Sequence, residues 1–420
     1  MPEFLPFAGI RYDAARLTGS TGPSADVGAV AAPPYDVIDE VDRARLEAAD
    51  PHNAVHLILP RDASGRDRYR VAADTLASWQ AEGVLTADAE ERFYLYVMEF
   101  EDEDGRPRRT RGVIGALGLP AAPGTGTVMP HERTSPKAKS DRLALLRATR
   151  ANLDPIWCLS LASGLTDLLE AEPGASLAAC VDADGVRHRL RALEGDAARI
   201  AAAVGAAPLM IADGHHRFET ACAYRDQRAD TGEVDPGAGR IMAFVVELSE
   251  AELCVRAIHR LLTGISEIDL RDALAPAFEI VGMGFNTPEG VALLRARMAS
   301  TGGLGLAERG RLALLTPRAD ALAPALGGVE PQLRAVDATV FEAGILPRLP
   351  AATEVGYRSD AAVAAGIVEK GAAEAAVLLR PVTVPQIRAA AFAGVRMPQK
   401  TTFFHPKPRT GMVFRRLDGG

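Results

Sequence analysis

The stretch Pro208-Leu-Met-Ile-Ala-Asp-Gly-His-His-Arg-Phe-Glu-Thr-Ala-Cys-Ala-Tyr-Arg225 decides how the centre of this chain folds. Its apolar run 209–212 predicts a short buried strand, and Asp213-Gly214 predicts a tight turn that starts a helix. The helix is predicted because apolar residues follow at helical spacing, namely Phe218, Ala221 and Cys222. The stretch therefore predicts a strand, a turn and a helix in direct succession.

The predicted helix begins with two imidazoles and a guanidinium, His215, His216 and Arg217. The first turn of a helix has N–H groups without intrahelical partners and a partial positive charge, so it attracts anions and phosphate in particular. Arg217 would add a bidentate grip, and Gly214 would let the backbone approach the ligand closely. The alternative is an ordinary capped surface helix. Titratable groups gathered at the end of a buried strand favour the phosphate site.

The composition is that of a globular protein with a sizeable core. Of 420 residues, 48% are hydrophobic and 24% are charged, and the net charge of −8 argues against a nucleic-acid partner. The chain has four cysteines and no Cys-x-x-Cys pair, and Cys158 and Cys222 are expected to be buried and reduced. No signal peptide or membrane-length apolar run is visible, so we expect a cytoplasmic protein without a membrane partner.

Strand and helix patterns alternate along the chain, which predicts a mixed α/β class. We expect an N-terminal α/β region at 1–119, a core with the phosphate-binding turn at 120–262, a helix-rich module at 263–350, and a C-terminal α/β segment at 351–420 that completes the site. Clear local patterns predict a strand at 54–59, a helix at about 67–82, and a hairpin of strands at 92–99 and 111–117.

A second candidate segment, Met129-Pro-His-Glu-Arg-Thr-Ser-Pro-Lys-Ala-Lys-Ser-Asp-Arg-Leu143, is rich in groups that suit a polyphosphate. Glu132 is a candidate base or metal ligand. The alternative is a solvated helix start with ion pairs along one face. The polar residues of this segment are His131, Glu132, Arg133, Thr134, Lys137, Lys139, Asp141 and Arg142.

Two further segments carry weaker signals. Lys400-Thr401, before the apolar pair Phe403-Phe404, can contact phosphate from a loop, although Lys-Thr is a common pair and a structural role is the alternative. In the proline-rich turn at 31–38, Tyr35 could stack on a planar ring and Asp36 could orient a metal or a histidine. The alternative there is a rigid turn with a packed tyrosine.

Five motifs in this order resemble an uncharacterised bacterial and archaeal family, domain of unknown function 1015. They are Pro33-Pro34-Tyr35-Asp36-Val37-Ile38, His131-Glu132-Arg133-Thr134, Asp141-Arg142-Leu143, Asp213-Gly214-His215-His216-Arg217 and Met397-Pro398-Gln399-Lys400. The resemblance spans nearly the whole chain and implies no particular activity.

The segment Asp213–Arg217 is also similar to the phosphate-binding turn of the ParB/sulfiredoxin fold, which includes CTP-binding ParB, ATP-using sulfiredoxin and a nucleotide-dependent free serine kinase. This similarity implies a ParB/sulfiredoxin-like nucleotide-binding core with additional α/β modules, in which the residues from Gly214 to Arg217 bind phosphate. The chain differs in being longer and in lacking a recognisable helix-turn-helix. Sulfiredoxin has a reactive cysteine inside this turn, and His215 occupies that neighbourhood here.

These observations lead to one main hypothesis, a phosphotransferase that moves a phosphoryl group from ATP or ADP (or CTP) to a small hydroxylated metabolite such as free serine. Mg²⁺ would bridge the phosphates. Glu132 or Asp213 would accept the hydroxyl proton, and His215 and His216 are further catalytic candidates. The candidate nucleotide-binding residues are Tyr35, Arg133, Thr134, Lys137, Lys139, Arg142, Gly214, Arg217 and Lys400.

Two alternatives belong to other classes. The first is a non-catalytic protein that binds and senses a nucleotide. The second is a metal-dependent hydrolase, with a metal held by His131, Glu132, His215 and His216.

Overall fold

The computed structural model of the chain describes residues 1–17, 24–63, 65–121, 126–130, 137–172, 174–232 and 235–418, without the side chains of 137–139. The chain divides into two compact units. The first unit consists of Met1–Cys254 and Pro406–Gly420, and the second consists of Val255–His405. The first unit is therefore discontinuous in sequence, and the second unit is inserted into it.

Helices and strands alternate in both units, which confirms the mixed α/β class. The strands are β1 (Phe4–Leu5), β2 (Ile10–Tyr12), β3 (Ala25–Asp26), β4 (Leu85–Ala87), β5 (Tyr94–Glu101), β6 (Pro107–Gly118), β7 (Val128–Pro130), β8 (Ala151–Asn152), β9 (Ile156–Ser160), β10 (Ser176–Val181), β11 (Arg187–Ala192), β12 (Leu209–Asp213), β13 (Arg240–Glu247), β14 (Cys254–Arg256), β15 (His259–Thr263), β16 (Phe278–Gly284), β17 (Leu304–Glu308), β18 (Arg311–Pro317), β19 (Glu354–Arg358), β20 (Ala375–Leu378), β21 (Phe403–His405) and β22 (Arg415–Arg416).

The α-helices are α1 (Glu40–Ala49), α2 (Val55–Ile58), α3 (Arg68–Ala81), α4 (Lys137–Thr149), α5 (Leu165–Ala171), α6 (Ala197–Gly205), α7 (His215–Thr231), α8 (Leu270–Leu274), α9 (Pro288–Thr301), α10 (Ala319–Leu326), α11 (Asp337–Val340), α12 (Ala361–Glu369) and α13 (Val384–Phe392). Short 3₁₀ turns lie at Ala14–Arg16, Tyr35–Val37, Pro331–Leu333 and Leu346–Arg348, and a π-helical turn lies at Phe341–Ile345.

The first unit is built on a large mixed sheet with the strand order β3-β10-β11-β5-β6-β13-β9-β12-β7, and β1 pairs with β6 beside it. Strands β5 and β6 form an antiparallel hairpin, β13 lies parallel to β9, and β12 lies antiparallel to β9 and parallel to β7. Strands β9, β12 and β13 are buried along almost their whole length. Their continuous apolar sequences are typical of strands that are covered on both faces.

Helices surround the end of this sheet where the candidate site lies. Helix α4 packs against α3 and α7, and the apolar side of α7 joins the core through Phe218, Ala221 and Cys222. The residues after Pro406 complete the first unit, because β22 pairs with β8 and Phe414 forms a bridge with Ile10. These pairings fix the C-terminal segment beside the start of β9.

The second unit is built on an antiparallel sheet with the order β16-β18-β17-β20-β15-β19. Helices α9 and α12 contribute buried residues, such as Leu294 and Ala364, to its core. Strands β14 and β21 pair where the chain enters and leaves this unit. The segment 263–350, which we expected to be helix-rich, contains the three strands β16, β17 and β18 besides its helices.

Several local predictions can be compared directly with this architecture. The helix at 67–82 and the hairpin of β5 and β6 are confirmed. The strand at 54–59 is wrong, because Val55–Ile58 is a short helix, and the backbone N–H of Val55 at its start donates to Asn53 Oδ1. Four apolar residues in a row do not distinguish a buried strand from a buried helical turn.

Cys158 and Cys222 are buried free thiols, as expected. Cys180 and Cys254 are also free thiols. Across the described parts of the chain, no helix has both the length and the apolar character needed to cross a membrane.

Candidate functional site

The stretch from Pro208 to Arg225 folds as its sequence predicts. Strand β12 ends at Asp213, Gly214 adopts a left-handed conformation with φ of 89°, and α7 begins at His215. A side chain at Gly214 would be obstructed, since a Cβ there would lie 2.9 Å from Ile156 Cγ2 and 3.1 Å from Arg217 Nε. Glycine is therefore required at this turn both by its conformation and by the close approach of β9.

Arg217 folds back across this turn. Its Nη2 donates a hydrogen bond to Asp213 Oδ2 at 2.7 Å, and its Nη1 donates to the backbone carbonyl of Pro155 at 2.6 Å. The side chain of Arg217 is 14% exposed. The guanidinium thus connects the end of β12 with the residue before β9 and is held in one position.

Lys407, from the C-terminal segment of the first unit, reaches the same carboxylate. Its Nζ lies 2.8 Å from Asp213 Oδ1 and 2.8 Å from Asp36 Oδ2. Only 13% of the Lys407 side chain is exposed. The ammonium is therefore fixed between two carboxylates that come from distant parts of the sequence.

These contacts determine the protonation state of Asp213. Burial by itself would raise the pKa of this carboxyl, but Lys407 and Arg217 outweigh burial and lower the pKa to about 2. Burial acts to lower the pKa of Lys407, and the two carboxylates reverse this and raise it. At neutral pH the three groups form a fully charged cluster.

Tyr35 and Arg142 lie on another side of this cluster. The guanidinium of Arg142 stands 4.2 Å from the centre of the Tyr35 ring, in a cation–π arrangement. Arg142 is itself held by the carboxylate of Asp141 at 2.8 Å and by the backbone carbonyl of Ile58 at 2.8 Å. One face of the Tyr35 ring is therefore covered by Arg142.

Asp154 is a further carboxyl beside these cations, and it is only 8% exposed. Its Oδ1 accepts a hydrogen bond from the hydroxyl of Thr410. Burial raises the pKa of Asp154, although Arg217, Thr410 and Arg142 act in the opposite direction. The net effect on the pKa of Asp154 is thus a rise, whereas at Asp213 the neighbouring cations outweigh burial and lower the pKa.

A small, partly open pocket lies between α4 and α7. Apolar side chains such as Leu145 and Ile241 form much of its wall, and Arg142, Asp154, Arg217 and Thr220 provide polar groups. The pocket thus shares two arginines with the charged cluster at the start of α7.

The charge at the start of α7 runs against the usual preference of helices. The first turn contains no acidic residue and begins with His215, His216 and Arg217, and Lys407 is held just in front of it. Cations at a helix N-terminus oppose the helix dipole and cost stability. Such an arrangement is typical of a site that receives an anion.

The structure brings several predicted site residues together, namely Tyr35, Arg142, Asp213, Gly214, His215, His216 and Arg217. His131, Glu132, Arg133 and Thr134 lie outside the described residues. Lys137 and Lys139 lie in the first turns of α4, and their side chains are not described. Lys400 is an exposed residue of the second unit, in a turn where its φ is 56°.

Two residues of the cluster, Lys407 and Asp154, were missed by the sequence analysis. Lys407 lies seven positions after Lys400, between two prolines, and carries no local motif. Asp154 directly precedes Pro155 and the buried strand β9. A charged residue at the end of an apolar strand is the only signal that could have indicated it.

The described residues were searched for side chains that could hold a metal ion together. Among them, no group of three His, Cys, Asp or Glu side chains converges as a metal site would require. Asp36 and Asp213 offer the oxygen ligands that Mg²⁺ prefers, but the ammonium of Lys407 lies between them. These two carboxylates do not fit the ion as they stand.

Comparison with solved structures found distant similarities to this chain. A conserved hypothetical protein from Pyrococcus furiosus is 12% identical, with 68% of this chain and 90% of that chain covered and a TM-score of 0.34. A free serine kinase in complex with AMP is 12% identical, with 66% and 83% covered and a TM-score of 0.33. SbnI from Staphylococcus aureus, truncated at its C-terminus, is 11% identical, with 71% and 86% covered and a TM-score of 0.36.

A comparison with curated proteins found no match. The family model described as "Protein of unknown function (DUF1015)" matches residues 4–339, which is most of the chain and includes the turn at Gly214. The chain belongs to the DUF1015 family.

Proposed function

We propose that this protein binds the phosphates of a nucleotide at the start of α7 and transfers a phosphoryl group to a small hydroxylated metabolite. The observation that carries the proposal is the pair of cations, Arg217 and Lys407, fixed on Asp213 in front of a helix N-terminus. Both side chains are largely buried, so their charges act at low effective dielectric.

The cluster is organised in advance for a developing negative charge. Asp213 and Asp36 hold Lys407 in place, and the carbonyl of Pro155 holds Arg217. Cations that are positioned before the reaction need no reorganisation during it, and electrostatic stabilisation is the main source of catalysis in phosphoryl transfer. Gly214 carries no side chain of its own, which would let phosphate oxygens come close to the backbone of this turn.

The pKa of Asp213, lowered to about 2, assigns this residue a positioning role. A general base is most effective when its pKa lies near the working pH. Asp213 therefore orients Arg217 and Lys407, and the proton of the acceptor hydroxyl goes to another group.

ATP, ADP and CTP are the nucleotides to be tested, and L-serine is the first acceptor, because the turn Asp213–Arg217 resembles that of the free serine kinase. Mg²⁺ would reach the site on the nucleotide phosphates. We assign no protein ligand to it, since the ammonium of Lys407 occupies the space between Asp36 and Asp213.

Isothermal calorimetry with each nucleotide, followed by transfer of label from the nucleotide to L-serine and other alcohols, tests the proposal. Arg217→Ala should abolish nucleotide binding. Arg225→Ala is the matched control, because Arg225 lies two turns further along α7 and donates to the carbonyl of Pro120 instead. Binding without transfer would favour a nucleotide-sensing protein. Absence of both would refute the proposal.

A further inference from the structure

The pocket between α4 and α7 contains polar groups that the fold itself does not use. The hydroxyl of Thr220 and Nε of Arg217 are buried, and no described residue forms a hydrogen bond with either atom. Thr220 is only 3% exposed, and both residues line the pocket. A buried polar atom without a partner is destabilising, so a ligand that forms a hydrogen bond with such an atom gains affinity.

The other polar groups in the wall are occupied by the fold. The hydroxyl of Thr149 donates to the carbonyl of Leu145, and Asn152 Oδ1 accepts from the backbone N–H of Met242. Arg142 is held by Asp141 and Ile58. Among the described lining residues, the hydroxyl of Thr220, Nε of Arg217 and the carboxyl of Asp154 are therefore the polar groups that we assign to ligand recognition.

Asp154 links the pocket to the charged cluster. It lines the pocket, and its Oδ1 is held by Thr410, so the carboxyl is oriented by the C-terminal segment. The charges of Arg217, Arg142 and Asp36 all act on it. It thus lies between the space for a small molecule and the cations proposed to hold the phosphates.

From this arrangement we infer that the pocket is the acceptor site of the proposed reaction, and that Asp154 is the catalytic base that receives the proton of the acceptor alcohol. The inference rests on the proposed function. The acceptor is a small alcohol with a hydroxyl near Asp154, a hydrogen-bonding group that meets Thr220 and Arg217 Nε, and an apolar part against Leu145 and Ile241.

The O–H bond of the acceptor breaks and its proton moves to the carboxylate of Asp154, while the acceptor oxygen forms a bond to the terminal phosphorus of the nucleotide. The bond from that phosphorus to its bridging oxygen breaks, and the electron pair leaves with the shortened nucleotide. Burial raises the pKa of Asp154, which makes it a stronger base than Asp213.

Two nearly isosteric variants remove one functional group each and leave the size of the side chain almost unchanged, so that a loss of activity is not caused by misfolding. Asp154→Asn keeps an oxygen for the Thr410 hydroxyl, and Thr220→Val keeps the volume of the side chain. The matched controls are Asp230→Asn and Thr231→Val, both on exposed positions at the far end of α7. Each variant is measured for nucleotide affinity by calorimetry and for transfer from labelled ATP and ADP to L-serine, glycerol, D-glucose and myo-inositol.

We expect Asp154→Asn to bind nucleotide within about threefold of wild type and to lose transfer by about 100-fold or more. Its residual transfer should also lack the fall at acidic pH that protonation of Asp154 causes in the wild type. Thr220→Val should raise the KM for the acceptor by about tenfold with kcat almost unchanged, as expected for one lost hydrogen bond.

Three results would overturn the inference. The first is Asp154→Asn with wild-type transfer, and the second is a loss of nucleotide affinity as large as its loss of transfer. The third is a wild-type chain that binds nucleotide but phosphorylates none of the four alcohols, which would leave the nucleotide site intact. A wild-type chain that binds no nucleotide would reject the proposed function, and this inference with it.

Discussion

Lys407 Nζ and Asp213 Oδ1 lie 2.8 Å apart although 194 positions separate them in the sequence. Both side chains are largely withdrawn from solvent, with 13% and 22% exposed. A buried ion pair adds little net stability to a fold, because the cost of removing both charges from water offsets much of their attraction. The proposed phosphate ligand would account for the presence of this pair at the start of α7.

Removal of the Lys407 ammonium should weaken both the fold of the first unit and the binding of phosphate. In Lys407→Met the carboxylates of Asp213 and Asp36 lose their shared partner, and we expect a loss of about 2–4 kcal/mol in the free energy of unfolding. Denaturant unfolding followed by tryptophan fluorescence measures it, since both tryptophans, Trp79 and Trp157, belong to the first unit.

Lys370→Met is the control for this change, because Lys370 is an exposed lysine at the end of α12 in the second unit. It should leave nucleotide affinity unchanged. If Lys407→Met bound nucleotide as tightly as the control does, Lys407 would not belong to the phosphate site.

The stability of the first unit should depend on Asp213 at acidic pH. Its pKa is lowered to about 2 in the folded protein and is about 3.9 in an unfolded chain, so its contribution is complete above pH 4 and is lost as the pH falls towards 2. The contribution is on the order of 2 kcal/mol. Asp213→Asn should therefore show a shallower loss of stability between pH 4 and pH 2 than the wild type.

The control is Asp230→Asn, which changes an exposed carboxyl on the same helix. Its pH profile should run parallel to that of the wild type. Parallel profiles for all three proteins would mean that Lys407 and Arg217 do not stabilise the ionised form of Asp213.

The turn at Gly214 should tolerate no side chain. Gly214→Ala combines a φ of 89° with a Cβ that would lie 2.9 Å from Ile156, and we expect a destabilisation of about 2–4 kcal/mol together with displacement of Arg217. Gly185→Ala isolates the conformational part, because Gly185 has a φ of 79° and open space around it. Equal losses in chemical denaturation would show that the contact with Ile156 is unimportant.

The ring of Tyr35 should matter more than its hydroxyl. Tyr35→Phe keeps the face that packs on Arg142 and should change the free energy of unfolding by less than about 0.5 kcal/mol. Tyr35→Leu removes the cation–π contact and should cost about 1 kcal/mol. The comparison is made by thermal unfolding, and a larger effect of Tyr35→Phe than of Tyr35→Leu would contradict it.

The sequence was informative where one short segment contained the whole structural signal. Strand β12, the turn at Gly214 and helix α7 lie where they were predicted, because an apolar run, Asp-Gly and helical spacing follow each other directly. The hairpin of β5 and β6 was predictable for the same reason. The cations at the start of α7 were likewise visible in the sequence, but the direction in which Arg217 points was not.

The features that could not be predicted from the sequence depend on contacts between distant parts of the chain. Lys400 was selected because it precedes a threonine, whereas Lys407 reaches Asp213 only through the return of the C-terminal segment to the first unit. The orientation of Asp154 depends on Thr410 in the same way. The helix at Val55–Ile58 was missed because the fold buries three of its four residues, which gives it the mainly apolar sequence of a buried strand.

Because the second unit is inserted into the first, its folding affects the stability of the first unit. When that unit folds, β14 pairs with β21 and brings its two ends together, which spares the first unit most of the roughly 4 kcal/mol that closing so long an unfolded loop would cost. A mutation between Val255 and His405 that unfolds the second unit would return this cost to the first unit, where Lys407 and Thr410 make their contacts. Loss-of-function variants should accordingly be scattered over residues that never meet a ligand.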